Sequence, residues 1–433
     1  MTPRAAARAI FDAGLAAGDV RPLVLRALAG IELPERGRLI VVGAGKASGA
    51  MAAAVEEALD DRVSDGVVAV KDGHLAATRR VRLREAGHPV PDERGAAAAR
   101  EILELARSAG GDDLVLTLIS GGGSALTPAP APPVTLGDKQ AVTRLLLAAG
   151  ATINQLNAVR KHLSLLKGGQ LARAATPARV HALLLSDVIG DPIDVIGSGP
   201  TAPDASTFGE ALAILESFQI RDRAPTSVVR RLEQGRRGEI PETPKADDPL
   251  FRHVSNVVIG NNALVIEAAA ARAGELGFAP HVLTRSLEGE ARQVAREFIE
   301  MARRIRSGRG PVAAPACVLA SGETTVTVRG GGKGGRCQEF ALAAALEMEG
   351  LDGVVVLAAG TDGTDGPTEA AGAVADGLTA GRAREQGRDP RAHLETNDSH
   401  AVFACLGDLV VTGPTNTNLL DLYLLVVDAA PSP

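Results

Sequence analysis

Short apolar runs ending near glycine alternate along this chain with longer stretches whose apolar residues fall three and four apart. Arg38–Gly43 (RLIVVG), Gly66–Val70, Asp113–Ile119 (DLVLTLI) and Val180–Leu185 have the length and composition of buried strands. Between them the spacing predicts two short helices within residues 4–30, then helices Ala47–Leu59 and Gly95–Ala109. Ile153, Leu156, Val159, Leu163 and Leu166 mark one face of an amphipathic helix, broken at Gly168-Gly169. Pro128–Pro133 has no period and reads as a loop or lid. The segment Arg230–Pro249, rich in Arg, Glu, Pro and Gly, interrupts the pattern and serves as a boundary. The alternation then resumes, with strands Val257–Ile259, His281–Leu283, Thr324–Arg329, Gly353–Ala358, Leu409–Thr412 and Leu422–Val427. Helices Ala263–Leu276, Glu290–Ile305 and Gln338–Met348 lie among them. Strand and helix in alternation predict an α/β protein of two domains. Residues 1–240 form a Rossmann-like, doubly wound, mostly parallel sheet, and residues 250–433 a smaller α/β domain.

Composition narrows the function classes. With 433 residues and a net charge of −6, the chain has no basic excess to recruit nucleic acid or an anionic membrane. It has no Trp and one Tyr (Tyr423), so stacking platforms for single strands are lacking. Cys317, Cys337 and Cys405 are too few and too scattered for a disulfide framework, and they suit a cytoplasmic protein. The histidines are scattered as well, which argues against a transition-metal site. The N-terminus reads as an amphipathic helix, not a signal peptide, and no apolar run approaches the roughly 20 residues of a spanning helix. Homo-oligomerisation is left open.

The polar residues collect where the strands end, which in open α/β sheets is the ligand edge. Gly43–Gly49 (GAGKASG) carries Lys46; Ser120, Gly121, Gly122, Gly123 and Ser124 follow the third strand; Asp187 follows the fourth. In the second half, Glu323 precedes Thr324–Arg329, which leads into Gly330–Gly335 with Lys333, then Arg336 and a helix. Asp362 and Asp365 lie in GTDGTDG, and Asn416 in GPTNTN. Glycine loops that expose N–H groups, with cations and carboxylates beside them, suit a polyphosphate and a divalent metal. Taken singly, each has a plainer reading: a basic surface turn at Gly330–Arg336, Asp362 and Asp365 as caps, His88 holding a turn, and Arg160, Lys161 and Lys167 on a solvated helix face.

Two other readings compete. Gly43, Gly45 and Gly49 resemble a dinucleotide fingerprint, which alone supports an NAD(P) site. A nucleotide-binding protein without catalysis is the third. No GxxxxGK[ST] occurs, so a Walker-type site is excluded, and the protein-kinase HRD and DFG set is missing.

Seven segments in order, VVGAGKASGAM, EAGHPVPDERG, LISGGGSAL, LNAVRKHLSLLKGGQLA, LLLSDVIGDPIDVIGSGPTAPD, SGETTVTVRGGGKGGRCQE and AAGTDGTDG, resemble the motif series of the glycerate 2-kinases whose C-terminal part is called the MOFRL domain. The resemblance covers most of the chain between residues 38 and 420. It implies a kinase (a transferase) that uses ATP with Mg²⁺ to phosphorylate D-glycerate at the 2-hydroxyl, in a cleft between two domains. It also implies that Lys46 and Arg336 match the family's catalytic lysine and arginine. On this reading Ser120–Ser124 hold the nucleotide phosphates, and Glu323, Asp187, Asp362, Asp365 and Asn416 attend the substrate or Mg²⁺. Some relatives carry the label hydroxypyruvate reductase, the NAD(P)H-dependent alternative. Cys337 and Asn416-Thr417-Asn418 depart from the residues common in the family.

Overall fold

The structure, a computed structural model, describes residues 1–429. It contains two compact α/β units. One comprises Val20–Ile259, and the other joins Met1–Asp19 to the chain from Gly260 onward. The sequence pattern had placed the division at residues 240–250 and the first helix with the N-terminal domain. Two packing facts make the difference. Strand Val254–Gly260 completes the first sheet, and helix Pro3–Ala17 lies so close to helix Asn262–Glu275 that a Cβ at Gly14 would stand 2.9 Å from the Val265 carbonyl oxygen.

The first sheet contains β1 (Leu39–Ala44), β2 (Val63–Lys71), β3 (Val81–Ala86), β4 (Leu114–Ile119), β5 (Arg179–Leu185) and β6 (Val254–Gly260), in the order β3-β2-β1-β4-β5-β6. Strands β1 to β5 run parallel, and every residue of β1 and β4 is buried. Near-continuous apolar strands are what a parallel sheet covered on both faces requires. Because Ala44 pairs with Ile119, and Ile119 with Leu184, the loops after β1, β4 and β5 emerge at one edge.

The second sheet contains β7 (Ala279–Leu287), β8 (Ala316–Gly322), β9 (Val354–Gly360), β10 (Gly372–Asp376), β11 (Leu409–Val410) and β12 (Asp421–Val427), in the order β11-β10-β9-β12-β8-β7. This sheet is mixed: β12 is antiparallel to both β8 and β9. Phe298, Phe340 and Tyr423 stack edge to face in its core.

Three local expectations change. Thr324–Arg329 does not form a strand; the strand is Ala316–Gly322 just before it, fully buried between β7 and β12. The threonine-rich stretch runs beyond the sheet, tied to Gly289 and Glu290 by Thr325 and Thr327. Pro128–Pro133 is no loose lid, since Ala131 N–H donates to the Leu163 carbonyl and Leu165 N–H to that of Ala129. The amphipathic helix spans Ile153–His162, and its apolar stripe begins at Leu156, with Ile153 exposed. Among the described residues no helix is long and apolar enough to cross a membrane.

Candidate functional site

In the first unit, the loop after β1 is locked to the loop after β4. Lys46 N–H donates to the Gly121 carbonyl at 2.8 Å, and Ser120 Oγ accepts from Ala47 N–H at 3.0 Å while lying 3.1 Å from Ser48 Oγ. Ser120 is wholly buried, so its hydroxyl is a pin between two loops. Gly45 makes the fit possible: with φ at 152°, a side chain there would fall on Ser120 Oγ. His74 Nδ1 lies 3.0 Å from the Lys46 carbonyl. The Lys46 stem stands over Gly122, whose φ of 85° starts the short turn of helix Gly123–Leu126; a Cβ at Gly122 would meet Lys46 Cγ at 3.4 Å and the His88 ring at 3.1 Å. Gly123 approaches the Ala44 carbonyl too closely for a side chain, at 2.6 Å. Ser124 Oγ accepts from Ser198 at 2.9 Å. Asp187, half-buried, follows β5 at the same sheet edge.

Behind Gly122 and Ser124 lies a cavity of about 470 Å³ lined by Lys139, Arg144, Arg160 and Lys167 along with His88. Lys167 donates to the Ser124 carbonyl at 2.6 Å, and Lys139 to that of Pro128. Neither Lys161 nor Lys167 is the solvated surface residue that helical spacing suggested, because both are buried. Lys161 is turned inward onto Asp204 at 3.2 Å and Asp194 at 3.3 Å.

The second unit gathers the other predicted residues. Strand β12 enters the sheet antiparallel between β8 and β9, so its first residue, Asp421, pairs with the last residues of those strands, Gly322 and Gly360. Glu323 follows Gly322 and Thr361-Asp362 follow Gly360. Arg336, at the start of helix Arg336–Glu347, reaches this junction. It donates from Nη2 to Asp421 Oδ1 at 3.0 Å and from Nε to Oδ2, and from Nη1 to Glu323 at 2.5 Å. Burial pulls down on the charge of Arg336, but the hydrogen bonds and charge of Asp421 outweigh it and raise the pKa, so the guanidinium is permanently cationic. Tyr423 Oη donates to Asp421 at 3.1 Å and sits 2.9 Å from Thr324 Oγ1.

Asp365 lies behind this group. Its carboxylate accepts from the N–H groups of Cys337 (3.1 Å) and Gln338 (2.8 Å), so it caps the helix that carries Arg336. Burial pushes its pKa up to about 7, aided by the Asp421 charge and opposed by the helix N–H groups. Asp362 caps its own turn, accepting from Thr364 N–H at 3.0 Å. Asn416 is exposed with φ at 56°, on a loop tied to the same edge through Thr415 Oγ1 and the Thr361 carbonyl, 2.6 Å apart. Burial raises the Cys337 thiol well above its ordinary range, as do Asp421 and Asp365, which leaves it un-ionised and inert.

The Gly330–Gly335 loop is occupied by protein. The N–H groups of Arg329 and Gly330 donate to Asn397 Oδ1, that of Gly332 to the Thr396 carbonyl and that of Lys333 to Asp398. Side chains at Gly330, Gly332, Gly334 and Gly335 would overlap residues 396–399 or Asp365. These glycines therefore let two segments pack, and the Lys333 side chain is exposed outside the Arg336 group.

Sequence reasoning passed over Asp421, Lys139 and the role of Tyr423. An acidic residue opening an otherwise apolar strand, DLYLLVV, was the signal for Asp421. Nothing in the chain order says that this strand inserts between β8 and β9.

Comparison with known proteins adds the family context. The model described as "Domain of unknown function (DUF4147)" matches residues 6–233, and that of the MOFRL family matches 316–421. A D-glycerate 2-kinase from Thermotoga maritima is 44% identical over 89% of this chain and 90% of its own. A protein named putative hydroxypyruvate reductase from Agrobacterium vitis is 44% identical over 99% and 95%. The crystal structure of a glycerate kinase from Thermotoga maritima superposes with a TM-score of 0.89 at 41% identity, covering 98% of this chain and 99% of that one.

Proposed function

The chain belongs to the glycerate 2-kinase family with a C-terminal MOFRL domain, and we propose that it uses ATP to phosphorylate D-glycerate at the 2-hydroxyl, releasing 2-phosphoglycerate and ADP. The observation that carries this reading is Lys46, held by backbone bonds with its stem beside Gly122, which itself lines a basic cavity, a setting that suits a polyanion.

The same loop speaks against a dinucleotide. Gly45 and Gly49 are closed off by Ser120 and by the His74 carbonyl, 2.8 Å from where a Cβ at Gly49 would stand. The start of helix Ser48–Leu59 is covered by Ser120, and Ser48 and Gly49 are buried. A pyrophosphate needs that approach open.

In the proposed reaction the 2-hydroxyl oxygen bonds to the γ-phosphorus as the bond to the β-phosphate bridging oxygen breaks, and ADP leaves with that electron pair. The hydroxyl proton passes to a carboxylate of the set Asp187, Glu323 and Asp362. Asp365, committed to the helix start, is assigned a positioning role. Lys46 and Arg336 are each assigned a role in stabilising charge that develops during the transfer. The Gly121–Ser124 loop lies along the nucleotide phosphates, and Asn416 attends glycerate.

Among the described residues no group of three His, Cys, Asp or Glu is arranged to hold a metal ion. Asp187 and Asp362 supply the hard oxygen donors that would hold Mg²⁺ carried in on the nucleotide. When bound, it neutralises phosphate charge. We place the activity in the cytoplasm, where ATP and reduced thiols coexist.

The test is incubation with ATP, Mg²⁺ and D-glycerate, coupled to enolase without phosphoglycerate mutase. Signal without mutase supports the 2-phosphate; signal only with mutase, or NAD(P)H oxidation by hydroxypyruvate without ATP, overturns the reading.

A further inference from the structure

The cavity behind Gly122 and Ser124 holds more positive charge than the fold itself can use. Lys139 and Lys167 are buried, Arg160 is half-buried, and no acidic side chain lines the space. The two lysines donate to carbonyls of residues 124–128, which satisfies N–H groups without neutralising charge. Lys161 is the internal comparison. One residue from Arg160 and buried like Lys139 and Lys167, it is paired with Asp204 and Asp194. A lysine kept for architecture in this unit has carboxylates; those facing the cavity have one another.

Burial first, and then Arg160 and Arg231, lower Lys139 to about 7. Burial, Lys139 and Arg160 push Lys167 well below the usual lysine range, and burial lowers Arg160. Such an arrangement is unfavourable until an anion completes it.

We propose that this cavity seats the polyphosphate of the nucleotide, with Lys139, Arg160 and Lys167 as its binding cations. The assignment rests on the kinase reading for the identity of the ligand. A small hydroxy acid bears one charge and would leave most of the 470 Å³ and most of the cations unused. A nucleotide brings several charges for the lysine end and an apolar body for the wall of Val90, Pro91 and Leu147. Binding recharges the lysines, so it takes up protons at pH 8.

The experiment is calorimetric titration of the full chain with ADP and, separately, tripolyphosphate, in two pH 8 buffers of different ionisation enthalpy. Lys139→Met, Lys167→Met and Arg160→Met are compared with wild type, and Arg144→Ser on the exposed rim serves as a variant with little risk to folding. Each is expected to weaken both ligands by about tenfold or more, and Lys139→Met to reduce proton uptake. The KM for D-glycerate is expected to stay within about twofold. Unchanged ADP and tripolyphosphate affinity in the variants overturns the proposal. So does a loss confined to glycerate, which would make the cavity the acid's site, and so does failure of wild type to bind either probe. Turnover with glycerate is measured apart from these titrations. A protein that binds both probes here yet consumes no ATP with glycerate refutes the kinase reading alone.

Discussion

Asp421 grips Arg336 with both carboxylate oxygens, Nη2 to Oδ1 at 3.0 Å and Nε to Oδ2, across the end of the C-terminal sheet. A bidentate pair fixes the plane of the guanidinium as well as its position. The pair is also held from behind, by Tyr423 on Asp421 and by Asp365 on the helix that starts at Arg336. Replacing Asp421 by Asn removes the charge and one acceptor. Stability should fall by roughly 1–3 kcal/mol, read from urea unfolding, and kcat by on the order of 10² through misplacement of Arg336. Full turnover in Asp421→Asn would remove the clamp from the mechanism.

Lys46→Ala and Arg336→Ala are each expected to fold normally and to lose on the order of 10²–10³ in kcat, the usual cost of a missing charge-stabilising donor. Circular dichroism checks the fold, and the coupled glycerate assay reads the rate. Near-normal turnover in either variant excludes that residue.

The glycine run makes a contrast within five residues. A Cβ at Gly335 would overlap Asp365, including its backbone carbon, whereas one at Gly331 meets nothing within 4 Å. Gly335→Ala should therefore cost roughly 1–3 kcal/mol and impair turnover by displacing Arg336. Gly331→Ala should stay within about 0.5 kcal/mol of wild type. Equal effects would mean that the loop is not packed as described.

Asp365 sets a pH dependence. Its pKa in the folded chain is pushed up to about 7 from 3.8, first by burial. Between those values the folded chain holds a proton that the unfolded chain has released, so stability from this group is present at low pH and falls as pH rises toward 7. Asp365→Asn, which imitates the protonated acid, should flatten this slope by up to about 1.4 kcal/mol per pH unit. Urea midpoints from pH 4.5 to 8 measure it, and parallel profiles for wild type and variant would refute it.

The strand-and-helix alternation was legible because a strand covered on both faces must be a short apolar run, as in LIVVGA and LVLTLI. The placement of Lys46, Ser120 and Asp187 at one edge followed from the parallel order of β1, β4 and β5, and Asp362 was recognisable as a polar residue at a strand end, whereas Glu323, read as preceding a strand, follows Ala316–Gly322. The resemblance of seven ordered motifs carried the family.

Tertiary structure decided what each polar residue faces. Local spacing marks Lys161 and Lys167 as polar positions, but only packing shows one neutralised by Asp204 and the other set among cations. The Gly330–Gly335 loop looked like an anion cradle, yet its N–H groups were already taken by residues 396–398, more than sixty positions away in the chain. Arg336 could be picked out from its surroundings in sequence; Asp421 could not, because its role depends on β12 entering antiparallel between two strands. Periodicity is a property of neighbours along the chain, and so the chain alone determined the elements and the edges they present. Charge compensation and close approach join residues distant in sequence, and only the folded arrangement determines them.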